Sequence, residues 1–173
     1  VRHSLGGNAE KIDLIEQGGC QAARATSKER IDRIVEAVRQ GLKESDADVT
    51  RRKRLLSILG EIDDDELSLL NAYGRTYGGG DRNPLSAVNR PDPIHTQSTL
   101  AQIEQNHLYQ AGREHLLRLG LLMRNYGNVK KGSLPEFDAR TGCFKHSVEV
   151  SGLGRMLLRE VGLATPFDTN QSQ

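Results

Sequence analysis

Phe137-Asp-Ala-Arg-Thr-Gly-Cys-Phe144, Lys145-His-Ser-Val-Glu-Val150 and Ser151-Gly-Leu-Gly-Arg-Met-Leu-Leu-Arg-Glu-Val-Gly162 follow one another without a gap. The first reads as a β-hairpin. Asp138 hydrogen-bonds forward into a type I turn, and Gly142 takes the left-handed position that completes a G1 bulge. The second alternates. Phe144, His146, Val148 and Val150 share one face, and Cys143, Lys145, Ser147 and Glu149 share the other, which predicts a strand with one dry side. His146 then belongs to the core as a hydrogen-bonded residue. The third reads as a short capped helix. Upstream, Glu114-His-Leu-Leu-Arg-Leu-Gly-Leu-Leu122 ends a helix, and Leu121-Leu-Met-Arg-Asn-Tyr126 supplies a neighbouring strand.

Outward from this unit the chain reads as helix. Leu100, Ile103, Leu108, Ala111, Leu116, Leu117 and Leu119 mark a helical region capped by Ser98 or Thr99, with Gly112 as a kink or a junction of two helices. Nearer the N-terminus, a first helix is expected from about Asn8, with Ile12 and Ile15 on one face. Gly18-Gly19 predicts a bend or break in it, because two interior glycines cost about 2 kcal/mol relative to alanine. Thr26-Ser-Lys-Glu29 reads as a capping box. The helix after it carries Ile31, Ile34, Val35, Val38 and Leu42, an amphipathic stripe. Thr50 caps a third helix with Leu55, Leu56, Ile58, Leu59 and Ile62 inward. Asp63-Asp-Asp-Glu66 opens a fourth with Leu67, Leu69, Leu70 and Tyr73, its acids suited to the helix dipole.

The fold class is therefore mainly α, an N-terminal helical bundle followed by an α+β module with a short antiparallel hairpin. Residues 8–76 form the bundle and a possible dimerisation surface. Residues 77–97 form a flexible linker, since Gly78-Gly-Gly80, Asn83-Pro84, Arg90-Pro91 and Asp92-Pro93 leave no periodicity. Residues 98–164 form the module, and 165–173 a polar tail.

With 36% hydrophobic residues, no Trp, three Phe and four Tyr, a single large core is not expected; two small units, or a core completed by a second copy, fit better. A homodimer through Ile31, Ile34, Val35 and Val38 is one way to cover the second helix; the alternative is that residues 55–73 cover it within the monomer. The net charge of +1 excludes a polycation, so affinity for nucleic acid must be local. Cys20 and Cys143 have no metal spacing, and a reduced cytoplasmic protein is the simpler reading. Apolar runs are too short for a membrane-spanning helix.

Leu116-Leu-Arg-Leu-Gly-Leu-Leu122, where a helix hands over to a strand, and Val150-Ser-Gly-Leu-Gly-Arg-Met-Leu-Leu158, where a strand hands over to a helix, resemble the second half of winged-helix domains in bacterial regulators. The order of the whole chain also resembles bacterial Abi-alpha proteins, associated with abortive infection of phage. The first resemblance implies a winged-helix-like module and contact with duplex DNA. Before residue 113 the sequence departs from that pattern, because two helices joined by a tight turn are not separable. Five cations lie between Arg113 and Lys131 (Arg113, Arg118, Arg124, Lys130 and Lys131) against Glu114 alone, and Arg140 sits at the expected hairpin tip. On a winged helix these six cations would fall on the recognition helix and wing, where phosphates lie. The bland reading is a solvated face.

Other motifs carry less. Arg51-Arg-Lys-Arg54 at an expected helix N-terminus opposes the dipole and hints at an anionic partner, unless Asp46, Asp48 or Glu61 neutralises it. Ser151-Gly-Leu-Gly-Arg-Met-Leu157 has Leu157 where a dinucleotide fingerprint has its third glycine, and no βαβ unit follows. Gly78-Gly-Gly80 lacks the Lys-Ser or Lys-Thr of a phosphate loop. His107, His115 and Glu104 would need further ligands to hold a metal and read as ordinary boundary residues. No catalytic spacing emerges, and no cofactor is called for. Two functions remain: a nucleic-acid-binding regulator, or a non-enzymatic protein-interaction module in a phage-defence or stress system.

Overall fold

The computed structural model describes residues 3–43, 46–75, 88, 90–139 and 142–163, without the side chains of 3–8 and 46–48. Four helices come first: α1 (His3–Arg24), α2 (Lys28–Gly41), α3 (Asp46–Glu61) and α4 (Asp64–Gly74). Then follow α5 (Leu100–Arg118), β1 (Leu122–Asn125), β2 (Phe137–Asp138), β3 (Cys143–Phe144), β4 (Ser147–Val150) and α6 (Gly152–Glu160). The protein is mainly helical, and the expected order of helix, strand, hairpin, strand and helix is present. β1 pairs antiparallel with β4, Leu122 opposite Val150, and β2 pairs with β3, Phe137 opposite Phe144.

α1, α2 and α3 pack on one another. α1 runs unbroken through Gly18-Gly19, contrary to the expected bend. A Cβ at Gly18 would collide with the Val38 side chain, so this glycine sets how closely α1 approaches α2. The packing gained there offsets the poor helix propensity. α2 is capped by Ser27, whose side chain accepts from the Arg30 amide, one residue later than expected. α3 begins at Asp46, ahead of the expected Thr50, and buries Leu55, Leu56 and Leu59; Ile62, just past its end, is buried too. α4 starts as read: Asp63 and Glu66 form a reciprocal capping box.

The stripe on α2 divides. Ile34 is buried under α3 and α1, whereas Ile31 and Val35 are exposed. Covering by the monomer therefore accounts for only part of it.

One apolar core runs from Leu14 to Val161, and both α3 and α4 touch α6. The buried ion pair of Arg52 on α3 with Glu160 on α6 joins the bundle to the C-terminal unit. Most of the expected connection, residues 76–87 and 89, lies outside the described residues, as does the tail from 164; residues 90–98 have no regular structure apart from one turn. No described helix is long and apolar enough to cross a membrane.

A candidate ligand groove between helix and ribbon

α5 is a single helix with Thr99 as N-cap in a box with Gln102. It does not divide at Gly112, where an added Cβ would come within 3.3 Å of the Glu66 side chain. The helix-turn-helix pair of a winged helix is therefore absent immediately before β1; residues 90–98 enter α5 as irregular, non-helical chain. The handover to β1 is made by Gly120 at φ +72, with the Leu121 amide donating to Leu116 O at 3.0 Å. Glycine adopts that φ at little cost.

The opposite handover uses Ser151. Its hydroxyl donates to Gly120 O at 2.5 Å and accepts from the Gly154 amide at 3.0 Å. A Cβ on Gly154 would strike Leu121 O, so the Gly-Leu-Gly word serves close packing of α6 on β1.

The hairpin closes as its sequence predicts. The Gly142 amide donates to Asp138 O at 2.9 Å, with Gly142 at φ +69. Phe137 and Phe144 meet edge to face, centroids 5.7 Å apart. The return strand is two short pieces, not one. Of its expected dry face, Val150 is buried and Val148 half-buried, but Phe144 and His146 are exposed. His146 is thus not in the core; its Nδ1 lies 2.8 Å from Phe144 O and its ring 5.7 Å from that of Tyr126. The physical reason is length. The ribbon runs past the edge of the helices, so alternation continues where nothing remains to bury it.

An open groove of about 360 Å³ lies between α5 and β1, lined by Glu114, Leu117, Arg118, Leu122, Met123, Arg124 and Tyr126. Arg118 and Arg124 meet there. Glu114 accepts from Arg124 at 2.7 Å, so part of this charge is already compensated. Arg113 stands apart. It is five residues from Arg118, about 140° around the helix. It is half-buried, reaching Gln110 at 3.4 Å and leaving its Nε buried without a partner. Beside it, burial raises the pKa of Tyr109 above the ordinary phenol range. Lys130 and Lys131 are exposed in a turn where the Ser133 amide donates to Lys130 O. Arg140 lies outside the described residues. Lys145 pairs with Glu136 at 2.5 Å, and that bond raises its pKa.

Tyr126 and His146 were not singled out as site residues from sequence. The signal was available: two residues beyond Arg124 on the same strand face, Tyr126 falls opposite His146 once the register is known. His115 bonds Glu66 at 2.7 Å between α5 and α4, while His107 and Glu104 are exposed. Among the described residues no group of three or more His, Cys, Asp or Glu is placed to hold a metal ion. A second cavity of about 380 Å³ is lined by Gln21, Arg24, Arg30, Gly60 and Asp64, among others. There Arg30 is committed to carbonyls of the α3 terminus, donating to Leu59 O and Ile62 O at 2.5 Å each.

Comparison with protein-family models, curated proteins and solved structures returns no match, so the functional reading rests on this geometry.

Proposed function

We propose that the C-terminal unit binds nucleic acid through the groove and ribbon, as a regulatory module of winged-helix-like shape. One observation carries this: Arg118 and Arg124 line a single groove from which the ribbon continues to the exposed Lys130-Lys131 turn. Exposed Tyr126 after β1, and Phe137 and Phe144 on the β2–β3 hairpin, offer faces on which bases stack. α5 differs from a recognition helix, because its residues 100–112 hold no Lys or Arg and include Glu104. Contact is therefore led by phosphates and ribbon, with little base readout from the helix.

With Arg118, Arg124, Lys130 and Lys131 on phosphates, duplex affinity falls with salt at a log–log slope of about −3.6. Replacing Lys130 and Lys131 by Ala flattens the slope by about 2 units and weakens all sequences alike. Titration of a fluorescent duplex at low salt tests this. Absence of binding at tens of micromolar, or binding unchanged in the double variant, rejects it.

A protein-interaction module is the second reading. It is favoured by the outer face of α5, where Leu100 is 71% and Leu108 75% exposed, far more than a solvated helix needs. Lys at both positions leaves duplex binding intact if the first reading holds.

A further inference from the structure

We infer that the outer face of α1 and α2 is a two-fold interface with a second copy of this chain. The contacts within the bundle define that face. A Cβ on Gly18 of α1 would meet Val38 and Ile34 of α2, and one on Gly41 of α2 would meet Leu14 of α1, so the two helices are antiparallel. On α1, Lys53 of α3 holds Glu10 and Asp13, which marks the side turned to α3. On α2, Arg30 and Gly41 mark that side, through Leu59 O and the Arg52 side chain. Ile12 and Ile15 fall on the opposite side of α1, while Ile31 and Val35 lie about 90° and about 130° around α2 from its α3-facing side. These four are exposed, Val35 by 55%, and half-buried Val38 and Leu42 continue the strip between them. No described element covers this apolar surface.

Its charges select the occupant. Asp32 and Arg39 flank Val35 on the solvent side of α2, three residues before and four after. When two α2 helices cross antiparallel with Val35 meeting Val35 of the second copy, each Asp32 comes opposite an Arg39. A parallel crossing would carry the two charges to opposite flanks of the seam, where Asp32 and Arg39 do not pair. The stripe is therefore self-complementary under the two-fold that an isologous dimer requires. Arg39 already bonds Glu36 at 2.7 Å on its own helix, and that bond holds the Glu36 carboxyl down at about 2. This interface does not depend on the nucleic-acid reading, since the groove residues lie on α5 and β1.

Sedimentation velocity from micromolar to several hundred micromolar tests the inference. The chain of 19.1 kDa should give a concentration-dependent species of twice that mass. Val35→Lys should weaken association at least about tenfold while circular dichroism and Tm stay unchanged, because the side chain is exposed. Asp32→Lys and Arg39→Glu should each weaken it several-fold, and the double swap should restore it. In a chain with Cys20→Ser and Cys143→Ser, Val35→Cys should form an intermolecular disulfide on mild oxidation. A 19.1 kDa particle at every concentration overturns the proposal. Dimerisation indifferent to Val35→Lys, or a double swap no better than either single change, does so equally.

Discussion

Basic residues are treated in opposite ways by the two ends of this molecule. In the helical bundle three of them are drawn inward: Arg30 is spent on carbonyls at the end of α3, Arg52 on Glu160, and Lys53 on Glu10 and Asp13. In the C-terminal unit Arg118, Lys130 and Lys131 stay in solvent, and Arg124 keeps a partly exposed pair with Glu114. The densest basic run in the chain, Arg51 to Arg54, hinted at an anionic partner in sequence but is in part structural. The more dispersed one is available to a ligand. Local charge density therefore says little about function until the position of the opposing carboxylates is known.

The strongest test of this contrast is Arg52→Ala. It leaves Glu160, whose side chain is only 10% exposed, without its partner. A loss of about 3–5 kcal/mol is expected, seen as a large drop in Tm or denaturant midpoint. Replacing both Arg52 and Glu160 with well-packed apolar residues should recover much of the loss. Because the pair joins α3 to α6 across one core, unfolding should remain a single transition. Two separate transitions in the wild type would break the picture of a shared core.

Arg30→Met comes next. It keeps much of the apolar stem but removes the donors to Leu59 O and Ile62 O, at a cost of about 1–3 kcal/mol. Chemical denaturation measures it, and a change below a few tenths would mean that water replaces the guanidinium.

A smaller, pH-dependent effect attaches to Asp64. Burial by itself raises its pKa, but hydrogen bonds from Ser27 and Arg30 outweigh this and hold it below 3.8. A depressed carboxyl stabilises the fold fully above the unfolded value and loses that contribution as the pH falls through the folded one. The Tm advantage of wild type over Asp64→Asn should thus be constant above pH 5 and shrink below about pH 4. An advantage that grows on acidification would contradict the assignment.

The least effect on stability is expected at the exposed end. Lys130→Ala with Lys131→Ala should change the unfolding free energy by less than about 0.5 kcal/mol. A larger loss would show that these lysines, too, are consumed by the fold.

Much of the architecture was legible beforehand because its causes are local. Asp63 with Glu66, Thr99 and Ser151 announce helix starts through bonds reaching only three residues ahead. The Asp138 to Gly142 turn is encoded by residues that tolerate its dihedrals. The candidate site was legible only in part. Arg118 and Arg124 do share a groove, but Arg113 does not, since its direction follows from how α5 rolls onto α4. Gly18 and Gly112 were misread as interruptions. Their local cost was estimated correctly in kind, but the helix packed against each one was not visible.

Sequence by itself determined the mainly helical class, the caps at Asp63, Thr99 and Ser151, and the hairpin turn. Each depends on backbone chemistry within a few residues, where propensity and capping act. Tertiary structure alone decided which cations are buried, why Ile34 is covered while Ile31 and Val35 are not, and why His146 lies outside the core. Those outcomes depend on partners distant in the chain, as with Arg52 and Glu160, which are 108 residues apart. Burying a charge is tolerated only where the fold brings its counter-charge within reach, and no local pattern carries that distance.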